Sequence, residues 1–120
     1  MPVAIQDKNL IQYVKAGDTD PPVELWLDPD VDDLTGASGF TFSMWPIGGD
    51  ALKVPRSLAV SAGTAEAPML RYSWAEGDTD TAGEFHAEFG FTRSGRTHTR
   101  PNDGYILVRV IASDDSISPP

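Results

Sequence analysis

Cysteine is absent from this 120-residue chain. That absence removes disulfide frameworks, thiolate nucleophiles, zinc–thiolate sites and iron–sulfur clusters together. Basic residues are scarce: 9 lysines and arginines stand against 18 acids, a formal charge of −9. An excess of that sign argues against nucleic-acid and anionic-membrane partners, since both are polyanions. With only His86 and His98 present, a zinc site would have to recruit carboxylates to reach three or four ligands, and no spacing suggests such a set. No apolar run approaches a membrane span, and Met1 to Lys8 carries neither a signal-peptide core nor a lipidation motif. Synthesis and folding in a cytoplasm are the expectation.

Turn formers are plentiful, with 11 glycines and 10 prolines. They cluster at Gly17-Asp18, Asp28-Pro29-Asp30, Gly36, Gly48-Gly49, Gly63, Gly77-Asp78, Gly83, Ser94-Gly95 and Asn102-Asp103-Gly104. Spacing of roughly ten residues is the rhythm of short antiparallel strands. Between the turns apolar residues alternate. Val23, Leu25 and Leu27 oppose Glu24 and Trp26; Phe40, Phe42 and Met44 oppose Thr41, Ser43 and Trp45. Leu70, Tyr72 and Trp74 oppose Arg71 and Ser73; Phe85, Ala87, Phe89 and Phe91 oppose His86, Glu88, Gly90 and Thr92. Period two in four separate segments is what half-buried strands require.

Tyr105 to Ile111 is apolar on both faces except at Arg109, which predicts a strand inside a sheet. Single helical turns are expected at most over 65–68 and 76–82. The pattern predicts an all-β sandwich of about seven strands over residues 10–112, with flexible arms at 1–9 and 113–120. Gly-Asp-Thr-Asp occurs twice, at 17–20 and 77–80, with unmatched flanks, and reads as two similar turns rather than a duplication.

The order Lys15-Ala16-Gly17-Asp18-Thr19, Pro22-Val23-Glu24-Leu25, Leu27-Asp28-Pro29-Asp30, Leu34-Thr35-Gly36-Ala37, Arg71-Tyr72-Ser73-Trp74, Gly77 to Gly83 and Pro101-Asn102-Asp103-Gly104-Tyr105 resembles one known family. It is similar to the immunoglobulin-like domain at the N-terminus of phage baseplate upper proteins and in small tail-region proteins of bacteriophages and prophages. The resemblance runs from about Leu10 to Ile111. It implies an immunoglobulin-like antiparallel β-sandwich acting as a non-enzymatic adaptor in the virion, in the tail or baseplate. It implies no catalytic residue and no cofactor, and as partners other virion proteins and symmetry-related copies of the chain. A head decoration or head-fibre protein is the alternative within that class. A carbohydrate-binding module for host-surface attachment is the alternative of another class. In such sandwiches a tyrosine hydroxyl commonly anchors the corner before a central strand. That position here is Phe85, so apolar packing of Phe85 on Trp74 is expected instead.

Chemical motifs are few. Asp28, Asp30, Asp32 and Asp33 invite a calcium reading, but a calcium loop begun at Asp28 needs Gly sixth and Glu twelfth, where Asp33 and Gly39 stand. A solvated acidic turn accounts for them. No Gly-x-Ser-x-Gly elbow or phosphate-binding loop is present. Arg93, Arg96 and Arg100 gather positive charge in one hairpin of an acidic chain and could dock on an acidic neighbour. Equally, they could answer nearby carboxylates. Trp26 and Trp45 fall on the polar side of their strands; either a loop or arm covers them, or they anchor a protein contact. The candidate interface residues are therefore Trp26, Trp45, Arg93, Arg96 and Arg100.

Overall fold

A computed structural model describes residues 10–49, 51–102 and 104–112. The segments expected as flexible arms, 1–9 and 113–120, lie outside the described residues. The described residues form nine strands, more than the seven or so expected: β1 Leu10–Lys15, β2 Val23–Trp26, β3 Ser38–Pro46, β4 Val54–Leu58, β5 Val60–Gly63, β6 Pro68–Tyr72, β7 Gly83–Arg93, β8 Arg96–Arg100 and β9 Ile106–Ile111. The short β4, β5 and β8 carry little apolar alternation for a sequence reading to catch. They form a six-stranded sheet in the order β1-β9-β7-β3-β4, with β8 also pairing β7, and a three-stranded sheet in the order β2-β6-β5. The fold is all-β, and the described residues contain no helix. Residues 65–67 are a bend and 76–79 a turn, so neither segment offered for a helical turn forms one.

The inward side chains are those the alternation assigns: Val23, Leu25, Phe42, Met44, Leu70, Tyr72, Trp74, Phe85, Ala87, Phe89 and Phe91 are all buried in one cluster. Phe42 from the large sheet stacks on Tyr72 from the small one, centroids 4.4 Å apart, and meets Phe89 and Trp74 edge-on at 5.1 and 5.8 Å. β9 lies between β1 and β7, inside its sheet, as its two apolar faces require. One pairing departs from the antiparallel expectation. β1 runs parallel to β9, Leu10 opposite Ile106 through Lys15 opposite Ile111. Having run beside the last strand, the chain turns at Gly17 (φ +88°) to reach the other sheet; only glycine holds such a φ without strain.

The repeated Gly-Asp-Thr-Asp turns dock on each other. Gly17 N–H donates to the Thr79 carbonyl at 2.8 Å, and the buried Thr79 hydroxyl donates to the Asp18 carbonyl at 2.7 Å. Trp74 Nε1 donates to the Pro21 carbonyl at 3.0 Å across the same end. The corner before β7 does have a tyrosine anchor, at Tyr72. Its hydroxyl donates to Asp78 Oδ2, which also accepts the Ala75 N–H at 2.8 Å. Burial first, and then the Asp78 bond, push the pKa of the Tyr72 hydroxyl well above that of an ordinary phenol, which keeps it a donor. Trp74 has Phe42 and Tyr72 as ring neighbours, and Phe85 is buried in the same core cluster.

Candidate functional site

Three surfaces carry the residues singled out by sequence. The first is the outward face of the small sheet. Register sets Trp26 opposite Met69 and Met69 opposite Ala62; the next row is Glu24, Arg71 and Val60. Arg71 Nε bonds Glu24 Oε2 at 2.9 Å, an exposed pair. Met69 is buried yet lies outside the core cluster, flanked by Trp26 on this outer row. Trp26 itself keeps 40% of its surface exposed, and Val60 keeps 52%. The result is exposed apolar surface at Trp26 and Val60 beside one ion pair, on a sheet whose edge strands β2 and β5 pair no further strand among the described residues.

The second surface is the basic hairpin, and only part of it faces outward. Register places Arg100 opposite Phe89, His98 opposite Phe91 and Arg96 opposite Arg93, so those β8 side chains share the inward side of β7. The loop after β2 folds over them. Asp32, fully buried, accepts from Arg100 Nε at 2.8 Å and Nη2 at 2.6 Å, a bidentate pair with Arg100 only 7% exposed. Arg93 donates to the Asp33 carbonyl at 3.0 Å and stands 3.5 Å from Asp32 Oδ1. Both guanidiniums lie 5.5 Å from the Phe91 centroid, and His98 stacks on that ring at 5.2 Å. Arg100 is therefore unavailable to a partner, and Arg93 is largely engaged; Arg96 remains exposed at the tip. Arg93 and Arg100 thus answer the Asp32 carboxylate of their own chain.

The aspartate run is similarly occupied. Asp28 Oδ1 accepts the Asp30 N–H at 2.9 Å, and Asp33 Oδ1 accepts the Thr35 N–H at 2.9 Å. The Thr35 backbone bond, then its hydroxyl, with Arg93 a lesser cause, hold the Asp33 carboxyl below the usual range. Asp32 points to Arg100, not toward Asp28 and Asp30, and among the described residues no group of three or more acids and histidines is placed to hold a metal.

The third surface is the outward face of the large sheet. Trp45 pairs His86, and Tyr105 joins them: His86 and Tyr105 stack at 4.8 Å, and Trp45 meets Tyr105 edge-on at 5.2 Å. Two residues along each strand, about 7 Å away at strand spacing, Ser43 pairs Glu88; the following pair is Thr41 and Gly90, with Thr99 beyond Gly90 on β8. Here lies a groove of about 170 Å³ lined chiefly by Thr41, Ser43, Arg56, Glu88, Gly90 and Thr99. Gly90 keeps this spot open: a Cβ there would stand 2.9 Å from Thr41 Oγ1, so the threonine hydroxyl would have to turn away.

Glu88 makes no hydrogen bond or close ion pair among the described residues. Burial raises its pKa above the ordinary 4.5, and Arg56 only partly offsets that. The folded state thus holds the Glu88 proton more tightly than the unfolded chain does. The resulting penalty is absent below the unfolded pKa and grows as pH rises through the folded one. Glu88→Gln should accordingly raise the melting temperature at pH 7 and leave it unchanged at pH 3. An equal gain at both pH values would contradict this assignment.

Alternation identified Trp26 and Trp45 as outward. It missed Met69, Glu88, Arg56, Thr99 and Tyr105, which join them only through register. No family model matches the chain, and no curated protein matches it.

Proposed function

We propose that this chain is a non-enzymatic structural component of a bacteriophage virion, an immunoglobulin-like adaptor of the tail or baseplate region. The motif order described above supports that reading, together with a two-sheet fold in which Gly17-Asp18, Asp28 to Gly36 and Gly77 to Thr79 lie in the connections between strands while Val23 to Leu25 and Arg71-Tyr72 lie in β2 and β6. The observation that carries it is the exposure of Trp26 and Val60 on the outward face of the small sheet, beside the buried Met69. Tryptophan is enriched where protein contacts are strongest. In this reading each copy presents that surface and the neighbouring strand edges to other virion proteins or to symmetry-related copies. Modest contacts then add through multivalency. Placement on the head, as a decoration or head-fibre protein, is the variant that analysis of separated heads and tails would distinguish.

The test is Trp26→Ala. Its unfolding free energy should change by no more than about 1 kcal/mol, as for surface substitutions away from core features, while incorporation into purified particles falls sharply. Normal incorporation of the variant would remove that surface from the proposal. Absence of the native protein from purified particles would remove the virion reading altogether.

A further inference from the structure

We propose that the groove on the outward face of the six-stranded sheet binds carbohydrate. One neutral pyranose ring would sit over Gly90 and Ser43, and the next sugar along would lie against the Trp45–His86–Tyr105 trio. This rests on a different sheet from Trp26 and does not depend on the virion role.

The chemistry of the groove selects the ligand class. A pyranose carries hydroxyls that each donate and accept around its rim, and a face of C–H groups. Thr41, Ser43 and Thr99 bring hydroxyls that also do both. Glu88 accepts only and Arg56 donates only, which completes the set. One carboxylate and one guanidinium sum to zero charge, so the groove has no net attraction for phosphate or an ammonium group. Gly90 and Ser43 keep the floor low, and the groove's 170 Å³ is smaller than the space a drug-sized ligand needs. The aromatic trio, beginning one pair further along β3 and β7, offers apolar ring surface for a sugar's C–H face. Glu88 is half-buried without a hydrogen-bond donor among the described residues. A carboxylate so placed weakens the fold, and ligand hydroxyls would supply the donors it lacks.

The experiment is an NMR titration of the full chain with glucose, galactose, N-acetylglucosamine and their β-linked disaccharides. Saturable shifts are expected in the amides of 41–45, 86–90 and 97–99 and in the Trp45 indole. Trp45→Ala and Glu88→Gln should each weaken binding at least about tenfold, while Trp26→Ala leaves it unchanged. Because Glu88→Gln is expected to stabilise the fold at pH 7, its loss of binding could not be attributed to unfolding. The proposal is overturned if none of these sugars shifts those residues, or if the shifts survive both substitutions. It is also overturned if only inorganic phosphate or a short peptide moves them. A chain that binds sugar but never enters a particle would sink the virion reading and leave this one standing.

Discussion

Arg100→Met should destabilise the domain by about 3 kcal/mol, the lower end of the roughly 3–5 kcal/mol expected when one member of a buried ion pair is removed. The loss comes from Asp32, which has no exposed surface and would be left without the two N–H donors that now satisfy it. Arg93, 3.5 Å from Asp32 Oδ1 with a side chain 21% exposed, is near enough to make good part of that loss. It is held by the Asp33 carbonyl and cannot reproduce the bidentate geometry. Arg100→Lys should recover little, because a single ammonium cannot make the fork. The double variant Asp32→Leu/Arg100→Met should regain most of the stability, since an apolar pair of similar bulk replaces both charges. Urea denaturation of the three variants measures this. An Arg100→Met cost below about 1 kcal/mol, the range of exposed pairs, would show that Asp32 reaches water.

Phe42→Ala should cost about 3–5 kcal/mol, the usual range for removing a buried phenylalanine. Phe42 is the ring through which the two sheets meet, with Tyr72 and Trp74 on one side and Phe89 on the other. Its removal leaves a cavity that two hydrogen-bonded sheets cannot easily collapse to fill. Phe40, two residues along the same strand and only partly buried, provides the control. It meets Phe91 at 6.0 Å, and Phe40→Ala should cost clearly less. Equal costs would mean that the intersheet core is more adaptable than its ring packing suggests.

Trp26 and Arg100 show how far sequence carried the site. Trp26 was assigned outward from its two neighbours, and its exposure follows from the same local geometry. Arg100 looked like part of an exposed basic handle because it stands in a polar hairpin. It is buried because β8 registers Arg100 opposite Phe89 and because a loop 68 residues away in sequence closes over it. Tyr72 tells the same story. Its strand and inward direction were legible, while its partner Asp78 depends on how the corner folds back. The parallel β1–β9 pair was illegible for the same reason, since strand neighbours at opposite ends of a chain leave no local signal.

By itself the sequence determined the strands around residues 23–26, 40–45, 70–72, 85–92 and 106–111 and, for the first four, which side is apolar; β1, β4 and β5, which lack a clean alternation, it did not. Strand and side follow from the period-two geometry of an extended backbone and the φ angles that glycine permits. Tertiary structure alone decided the strand order, the burial of Asp32 with Arg100, and the meeting of Trp45, Tyr105, Glu88 and Arg56 on one face. Those arise from hydrogen-bond register and loop closure between distant segments, which alternation along a single strand does not encode.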